Sequence, residues 1–151
     1  MEKTIKTTLL APLTLMAVLM TLIHLTTAPA GAAGMEYSLQ VTVDVSPELK
    51  GNTTPDQVVF IFAKALRGPR APLAAIRAQV RDLPMTVTLD DSMAMAPVFK
   101  MSKFKDVKIS ARVSKSGGAM KRSGDLEGVI PHVKLEKHNK PVTVVIDHVV
   151  P

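Results

Sequence analysis

The chain has 151 residues, a formal net charge of +6 and no cysteine. Without a thiol it cannot form a disulfide, a thiolate metal site, a cysteine nucleophile or a C-x-x-C-H haem attachment. Its positive charges are spread along the chain and aromatic residues make up only 3%, which does not fit a nucleic-acid-binding protein.

Residues 1–32 have the pattern of a secretory signal peptide. Two lysines precede a largely apolar run from Leu9 to Leu25, and small residues follow it. This order predicts cleavage after Ala30 or Ala32 and export to the periplasm. The alternative is an uncleaved membrane anchor, because a run of 17 residues reaches the lower limit for a spanning helix. The mature domain is then 36–151, and its modest positive charge suits contact with acidic partners or anionic lipid headgroups at a membrane surface.

Most of the remaining chain has the alternation of apolar and polar residues that is typical of strands with one buried face. One segment, Val58 to Phe62, is continuously apolar, which indicates a central strand covered on both faces. Turn residues separate the segments, so we predict an all-β fold, an antiparallel sandwich of immunoglobulin or transthyretin type with about seven strands. The alternating segments are Tyr37–Val45, Met85–Leu89, Val107–Val113, Leu126–Leu135 and Val142–Val150.

Residues 71–82 carry two conflicting patterns. Leu73, Ile76 and Val80 have the spacing of one helix face. The neighbouring segments are all predicted strands, which favours a strand here as well. We predict a strand, with a bulge near Ala75 to turn both Leu73 and Ile76 inward.

Asp90 and Asp91 follow the predicted strand Met85–Leu89. As a pair they could bind a cation or act in catalysis, but adjacent side chains on an extended chain point to opposite faces. We therefore expect them to cap a tight turn by accepting backbone N–H bonds.

Met93, Met95 and Met101 form a methionine-rich segment just beyond these acids. Thioether sulfurs bind Cu(I), but methionine more often fills cores or adaptable binding surfaces. His132, His138 and His148 share no short metal-ligand spacing, so we expect structural roles for them. Neither group predicts a metal site.

Several separate segments of the sequence, taken in order, carry a family resemblance. They are Gly68-Pro69-Arg70-x-Pro72-Leu73, Asp82-Leu83-Pro84, Leu89 to Met95, Phe104 with Val107, Ala111 to Gly117, Gly124-Asp125-Leu126-x-Gly128 and Val144 to Asp147. Together they resemble the C-terminal periplasmic domain of the CcmI/CycH family, membrane proteins of bacterial c-type cytochrome maturation. The likeness covers residues 56–150.

The resemblance implies a non-enzymatic accessory module without a cofactor. In that family the periplasmic parts hold apocytochrome c and deliver it to the haem-ligation complex, so the implied partners are apocytochrome c or haem-lyase components. Because we find neither a pair of membrane helices nor a tetratricopeptide period, we expect a stand-alone version of the terminal module. The predicted contact residues are Asp90, Asp91, Met93 and Met95, with Arg70 and Arg112 as neighbours.

Two alternatives to this hypothesis stay open. One is a small periplasmic copper- or haem-handling protein that uses Met93, Met95 and Met101. The other is a transthyretin-like structural domain with an unrelated partner. No set of nucleophile, base and orienting group emerges from the sequence, so we do not expect an enzyme.

Overall fold

Two β-sheets face each other across one hydrophobic core in the computed structural model, which describes residues 37–135 and 141–151. The strands are β1 (Ser38–Val45), β2 (Val58–Ala65), β3 (Ala74–Gln79), β4 (Met85–Asp90), β5 (Asp106–Ser114), β6 (Leu126–Lys134), β7 (Val142–Ile146) and β8 (His148–Val149). One sheet has the order β4-β1-β7 and the other the order β3-β2-β5-β6-β8. The predicted all-β sandwich is confirmed.

Helical structure among the described residues is confined to short turns in the connections. A four-residue helix, α1 (Pro47–Lys50), follows β1. Single 3-10 turns cover Val80–Asp82, Asp91–Met93, Pro97–Phe99 and Met101–Lys103. Within the two described stretches, none of these helices has the length and apolar character needed to cross a membrane. The predicted signal peptide and the start of the domain at residue 36 lie outside the described residues.

Strand β1 shows how the alternating pattern builds the core. Leu39, Val41, Val43 and Val45 are buried and point between the sheets, whereas the residues between them face outward. Burying four aliphatic side chains from one strand stabilises the fold because each loses most of its contact with water. The face predicted from the alternation is the face that the structure buries.

Strand β2 is covered on both faces, as its continuous apolar run predicts. Val59, Ile61 and Ala63 point into the core, and Phe60 is buried on the outer face of the sheet. Phe60 lies opposite Arg112 of β5, whose guanidinium carbon is 5.6 Å from the centre of the ring. A central strand that is covered on both faces therefore has apolar residues at both its inward-facing and its outward-facing positions.

One strand pair departs from the antiparallel arrangement predicted for the sandwich. β1 and β7 run parallel, with Val43 opposite Val144, while the other five pairings among the described strands are antiparallel. Alternation reveals which face a strand buries but not the direction of its neighbour, so the sequence pattern could not distinguish the two arrangements.

The C-terminal segment is two strands rather than one, which raises the count in the described residues to eight. β7 belongs to the three-stranded sheet and β8 to the five-stranded sheet, so the chain changes sheets at Asp147. Gly128 of β6 makes room for this crossing: a Cβ there would lie 2.1 Å from the carbonyl oxygen of Val145. Any larger residue at 128 would push the crossing chain away from β6.

Residues 71–82 contain the predicted strand, β3, followed by the 3-10 turn Val80–Asp82. The pairing of β3 with β2 is regular from Ala74 to Gln79, so the predicted bulge near Ala75 is wrong. Leu73 is buried just before the strand begins, and its N–H donates to the carbonyl oxygen of Ala63. The helix-like spacing at the end of this segment reflects the single 3-10 turn.

Candidate functional site

The two acids that follow β4 shape the connection from β4 to β5. Asp90 is the N-cap of the 3-10 turn Asp91–Met93, and its Oδ1 accepts the N–H of Ser92 at 2.8 Å. Asp91 is buried, and its Oδ1 accepts the N–H of Ser102 at 2.9 Å. The predicted capping of a tight turn is confirmed for Asp90, whereas Asp91 bonds across the connection to Ser102. Both carboxylates have partners within the fold, and a contact between this loop and another protein stays a prediction.

The three methionines of this connection lie in different environments. Met101 is 0% exposed and belongs to the core, Met93 packs against the core, and Met95 is 78% exposed. One ion could not bind a core side chain and a solvent-exposed one together without rearrangement of the loop, so the geometry does not support a copper site. Over residues 37–135 and 141–151 no group of three His, Asp or Glu side chains is placed to hold a metal ion.

The two arginines that we expected beside this loop lie in different parts of the fold and differ in their exposure to solvent. Arg70 is exposed in the connection between β2 and β3. Arg112 is 2% exposed and lies on the outer face of the five-stranded sheet, opposite Phe60 and Glu127. The expectation that Arg112 offers its charge to a partner beside Asp90 does not fit this burial.

Arg112 instead forms a buried ion pair with Asp125. Its Nη1 lies 2.5 Å from Oδ2 of Asp125, which is 1% exposed. The guanidinium also donates to the carbonyl oxygens of Ala119 and Met120, the latter at 3.1 Å. A buried charge is tolerated only when it is paired and hydrogen-bonded, and both conditions hold here. The pair thereby fixes the β5–β6 connection over the sheet.

Asp125 holds the two ends of this connection together. Its carboxylate accepts the backbone N–H groups of Lys115 and Arg122, each at 3.0 Å. Burial alone would raise the pKa of Asp125, but these two hydrogen bonds and the Arg112 guanidinium outweigh it, so the pKa lies below the ordinary value of 3.8. The carboxylate therefore stays ionised at neutral pH.

The histidines in the described residues have acidic neighbours. Nε2 of His132 lies 2.6 Å from Oδ1 of Asp106, and Nδ1 of His148 lies 2.9 Å from Oδ1 of Asp147. These contacts fit the structural roles expected for them. The third predicted residue, His138, lies outside the described residues.

The clamped β5–β6 connection covers one side of a cleft that we call the Phe62 groove. The groove has a volume of about 510 Å³ and is lined by Phe62, Lys64, Pro72, Ser110, Arg112, Ala119, Met120, Lys121 and Glu127. The ring of Phe62 stacks on that of Phe60 at 5.9 Å between centres. Met120 is 79% exposed at its edge. The groove is therefore aromatic at its base and flexible at its rim.

Sequence reasoning missed this groove. Phe60, Phe62 and Arg112 could be assigned to their strands, but nothing in the sequence shows that residues 115–125 fold back over the outer face. One signal in the sequence was Asp125 beside Gly124, a glycine to which the structure gives a positive φ of 83°. A charged residue in a central strand was the second sign that the outer face is covered.

Comparison with known proteins gives the family. The model for the Ig-like domain of cytochrome c-type biogenesis protein H matches residues 39–147. Cytochrome c-type biogenesis protein CycH of Pseudomonas aeruginosa is 46% identical over 93 residues, which is 62% of this chain and 23% of that protein. The chain thus spans about a quarter of the length of this relative. No solved structure matches. The chain belongs to the family of Ig-like domains of cytochrome c-type biogenesis protein H.

Proposed function

We propose that this domain is a periplasmic, non-enzymatic binding module of c-type cytochrome biogenesis, and that it holds an apolar segment of unfolded apocytochrome c. Its family supports a role in that system. The observation that carries the proposal is the Phe62 groove, whose lining includes the apolar residues Phe62, Pro72 and Met120.

The lining of the groove suits an unfolded chain better than a rigid ligand. Phe62 offers an aromatic ring, over which Nζ of Lys64 lies 5.6 Å from the ring centre. Aromatic rings make large contacts with little loss of side-chain freedom. Met120 has a flexible thioether that adapts to different apolar side chains. The volume of about 510 Å³ lies within the range of about 300–1,000 Å³ that is usual for binding pockets. The groove would therefore hold a few apolar side chains in no strict arrangement.

Arg112 acts on this groove by positioning rather than by binding. Its guanidinium already contacts Asp125 and the carbonyl oxygens of Ala119 and Met120. It thereby keeps residues 119 and 120 beside Phe62, and an approaching partner meets the methionine instead of the charge.

Affinity for a fluorescently labelled apocytochrome c tests the proposal. Met120→Glu should weaken binding by roughly tenfold, because it places a charge at the rim of an apolar contact. Met95→Glu is the matched control, since position 95 is equally exposed, at 78% against 79%. Far-UV circular dichroism and thermal melting would show that both variants are folded.

The outcomes separate the competing surfaces and partners. A larger loss from Met95→Glu would move the contact to the loop of Asp90, Asp91, Met93 and Met95 and overturn the groove. Binding of a haem-lyase component but not of apocytochrome c would replace the partner. Binding of neither by the wild-type protein would overturn the proposed function.

A further inference from the structure

The end of the sandwich where residues 66–73 and 91–105 meet carries a concentrated positive charge. The first stretch contains Arg67 and Arg70, and neither it nor residues 92–105 contain an Asp or Glu. The second stretch adds Lys100, Lys103 and Lys105. With Asp91 as the one acid of the two stretches, these five cations create a positive potential at this end.

Direct contacts join the two stretches. The N–H of Leu66 donates at 3.1 Å to the carbonyl oxygen of Asp106, the residue that directly follows the second stretch. A Cβ on Gly68 would lie 2.9 Å from a ring carbon of Phe104, so the two chains touch there. A cavity of about 500 Å³ opens between them, lined by Leu66, Arg67, Lys103, Phe104, Lys105, Asp106 and His132.

Asp106 is the single acid among the residues that line this cavity, and it is already engaged. Its hydrogen bond with His132 is the main cause that lowers its pKa; burial opposes this effect, and the charges of His132, Lys134 and Arg67 lower the pKa further. These effects have the sign expected of a carboxylate in a positive field.

Exposed apolar side chains accompany the cations. Leu66, Met95 and Val98 are all exposed, and each lies in one of the two stretches. Large exposed apolar side chains mark protein or membrane contacts. Peripheral membrane surfaces combine apolar side chains, which enter the headgroup region, with lysines and arginines, which contact anionic lipids. An acidic soluble peptide would contact the cations but would leave the exposed apolar side chains without a role.

The topology places the start of the domain at the same end. Ser38, the first residue of β1, pairs with Asp90, and the next residue, Asp91, bonds to Ser102 in the cationic stretch. The chain ahead of Ser38 includes the apolar run Leu9–Leu25. The described part of the chain therefore begins at the cationic end of the sandwich.

We propose that this end, formed by residues 66–73 and 91–105, docks on the surface of a membrane that contains anionic phospholipids. The cations contact lipid phosphates while Leu66, Met95 and Val98 enter the headgroup layer. The Phe62 groove lies on the outer face of the five-stranded sheet and shares one lining residue, Pro72, with this end.

The absence of cysteine allows a test of orientation with the full chain. Met95→Cys and Met120→Cys give two labelling sites of matched exposure for a polarity-sensitive fluorophore. With vesicles of phosphatidylglycerol and phosphatidylethanolamine in equal parts, the probe at 95 should shift to the blue and resist a soluble quencher. The probe at 120 should not change. Salt should reverse the effect because it screens the attraction.

A charge variant shows whether the cations are responsible. Arg67→Gln with Lys100→Gln and Lys103→Gln should weaken partition onto these vesicles by roughly tenfold to a hundredfold. The control replaces Lys115, Lys121 and Arg122 of the β5–β6 connection by Gln and removes the same charge. Residues 1–36 are common to all proteins, so their contribution cancels.

Three results would overturn the proposal. Equal shielding of both probes would show that no particular end faces the lipid. Unchanged shielding on phosphatidylcholine alone, or in the charge variant, would show that anionic lipid is not recognised. Shielding of position 95 by an oligoglutamate peptide but not by vesicles would identify an acidic protein partner instead. The assay contains no apocytochrome, so its result is separate from that of the proposed function.

Discussion

The β4–β5 and β5–β6 connections each carry an exposed methionine, but one is anchored to the sandwich by apolar side chains and the other by a buried ion pair. Met95 in the first and Met120 in the second are 78% and 79% exposed. The first connection is anchored by apolar side chains: Met101 is 0% exposed, and Phe99 and Phe104 pack against the core. The second is anchored by the buried pair of Arg112 and Asp125.

The difference shows two ways to fix a loop on a rigid sandwich. The connection with the apolar anchor has Lys100 and Lys103 exposed at the surface, which suits a surface that meets a membrane. A polar anchor fixes backbone carbonyls at defined hydrogen-bonding distances, which suits the rim of a groove that must keep its shape. The polar anchor is the more vulnerable one, because loss of either partner leaves a buried charge unpaired.

The largest expected effect comes from breaking the polar anchor. Asp125→Ala leaves Arg112 buried without its counter-ion and should lower the free energy of unfolding by about 3–5 kcal/mol in urea denaturation. Asp56→Ala is the control: Asp56 pairs with Arg81 at the surface, and such pairs contribute about 0–1 kcal/mol. Equal losses in the two variants would contradict the comparison.

The apolar anchor should be nearly as sensitive at its buried residue. Met101→Ala removes a fully buried side chain and should cost about 2–5 kcal/mol through lost burial and the cavity left behind. The same substitution at Met95 should change stability by no more than about 0.5 kcal/mol. If the two variants melted alike, Met101 would not be part of the core.

Acid should weaken the polar anchor by a smaller amount. In the unfolded chain Asp125 titrates near its ordinary pKa of 3.8, whereas the hydrogen bonds from Lys115, Arg122 and Arg112 hold the folded pKa lower. Stability from this group is thus complete well above pH 3.8 and is lost as the pH falls through the folded pKa. The slope for one group is at most about 1.4 kcal/mol per pH unit.

A comparison of the wild type with Asp125→Asn isolates the contribution of Asp125 to the pH dependence of the free energy of unfolding. Denaturation between neutral pH and the acid limit should show a flatter dependence for the variant below pH 3.8. Asp106, whose pKa is also lowered, contributes with the same sign in both proteins and cancels. An unchanged slope in Asp125→Asn would contradict the assignment.

The smallest effect concerns the cap of the β4–β5 connection. Asp90→Ala removes the acceptor for the N–H of Ser92 and should cost about 1 kcal/mol. Asp90→Asn keeps a side-chain oxygen and should cost much less, because asparagine is an equally good cap. If Asn were as damaging as Ala in thermal melting, the charge rather than the acceptor would be what matters.

Local features of this fold were readable in the sequence. The alternation in β1 identified its buried face, and the position of Asp90 after a strand indicated that it caps a turn. Both follow from properties of single residues and their near neighbours: the period of a strand and the hydrogen-bonding reach of a short side chain.

Features that depend on distant parts of the chain were not readable. The parallel pairing of β1 with β7, the change of sheet at Asp147 and the burial of Arg112 each require knowledge of what packs on top or alongside. Arg112 has the parity of an outward-facing residue, and only the fold-back of residues 115–125 buries it. The candidate groove exists because of that fold-back, which explains why it was missed.

The parallel pairing of β1 and β7 affects how the domain reaches its native state. β1 is the central strand of its sheet, but one of its neighbours ends at Ile146, near the opposite end of the chain. Contacts between such distant segments form slowly because a long loop must close first. A chain that emerges from a ribosome or a translocation channel N-terminus first therefore holds β1 with an unpaired edge until residues 142–146 follow. During that interval the edge is open to other chains.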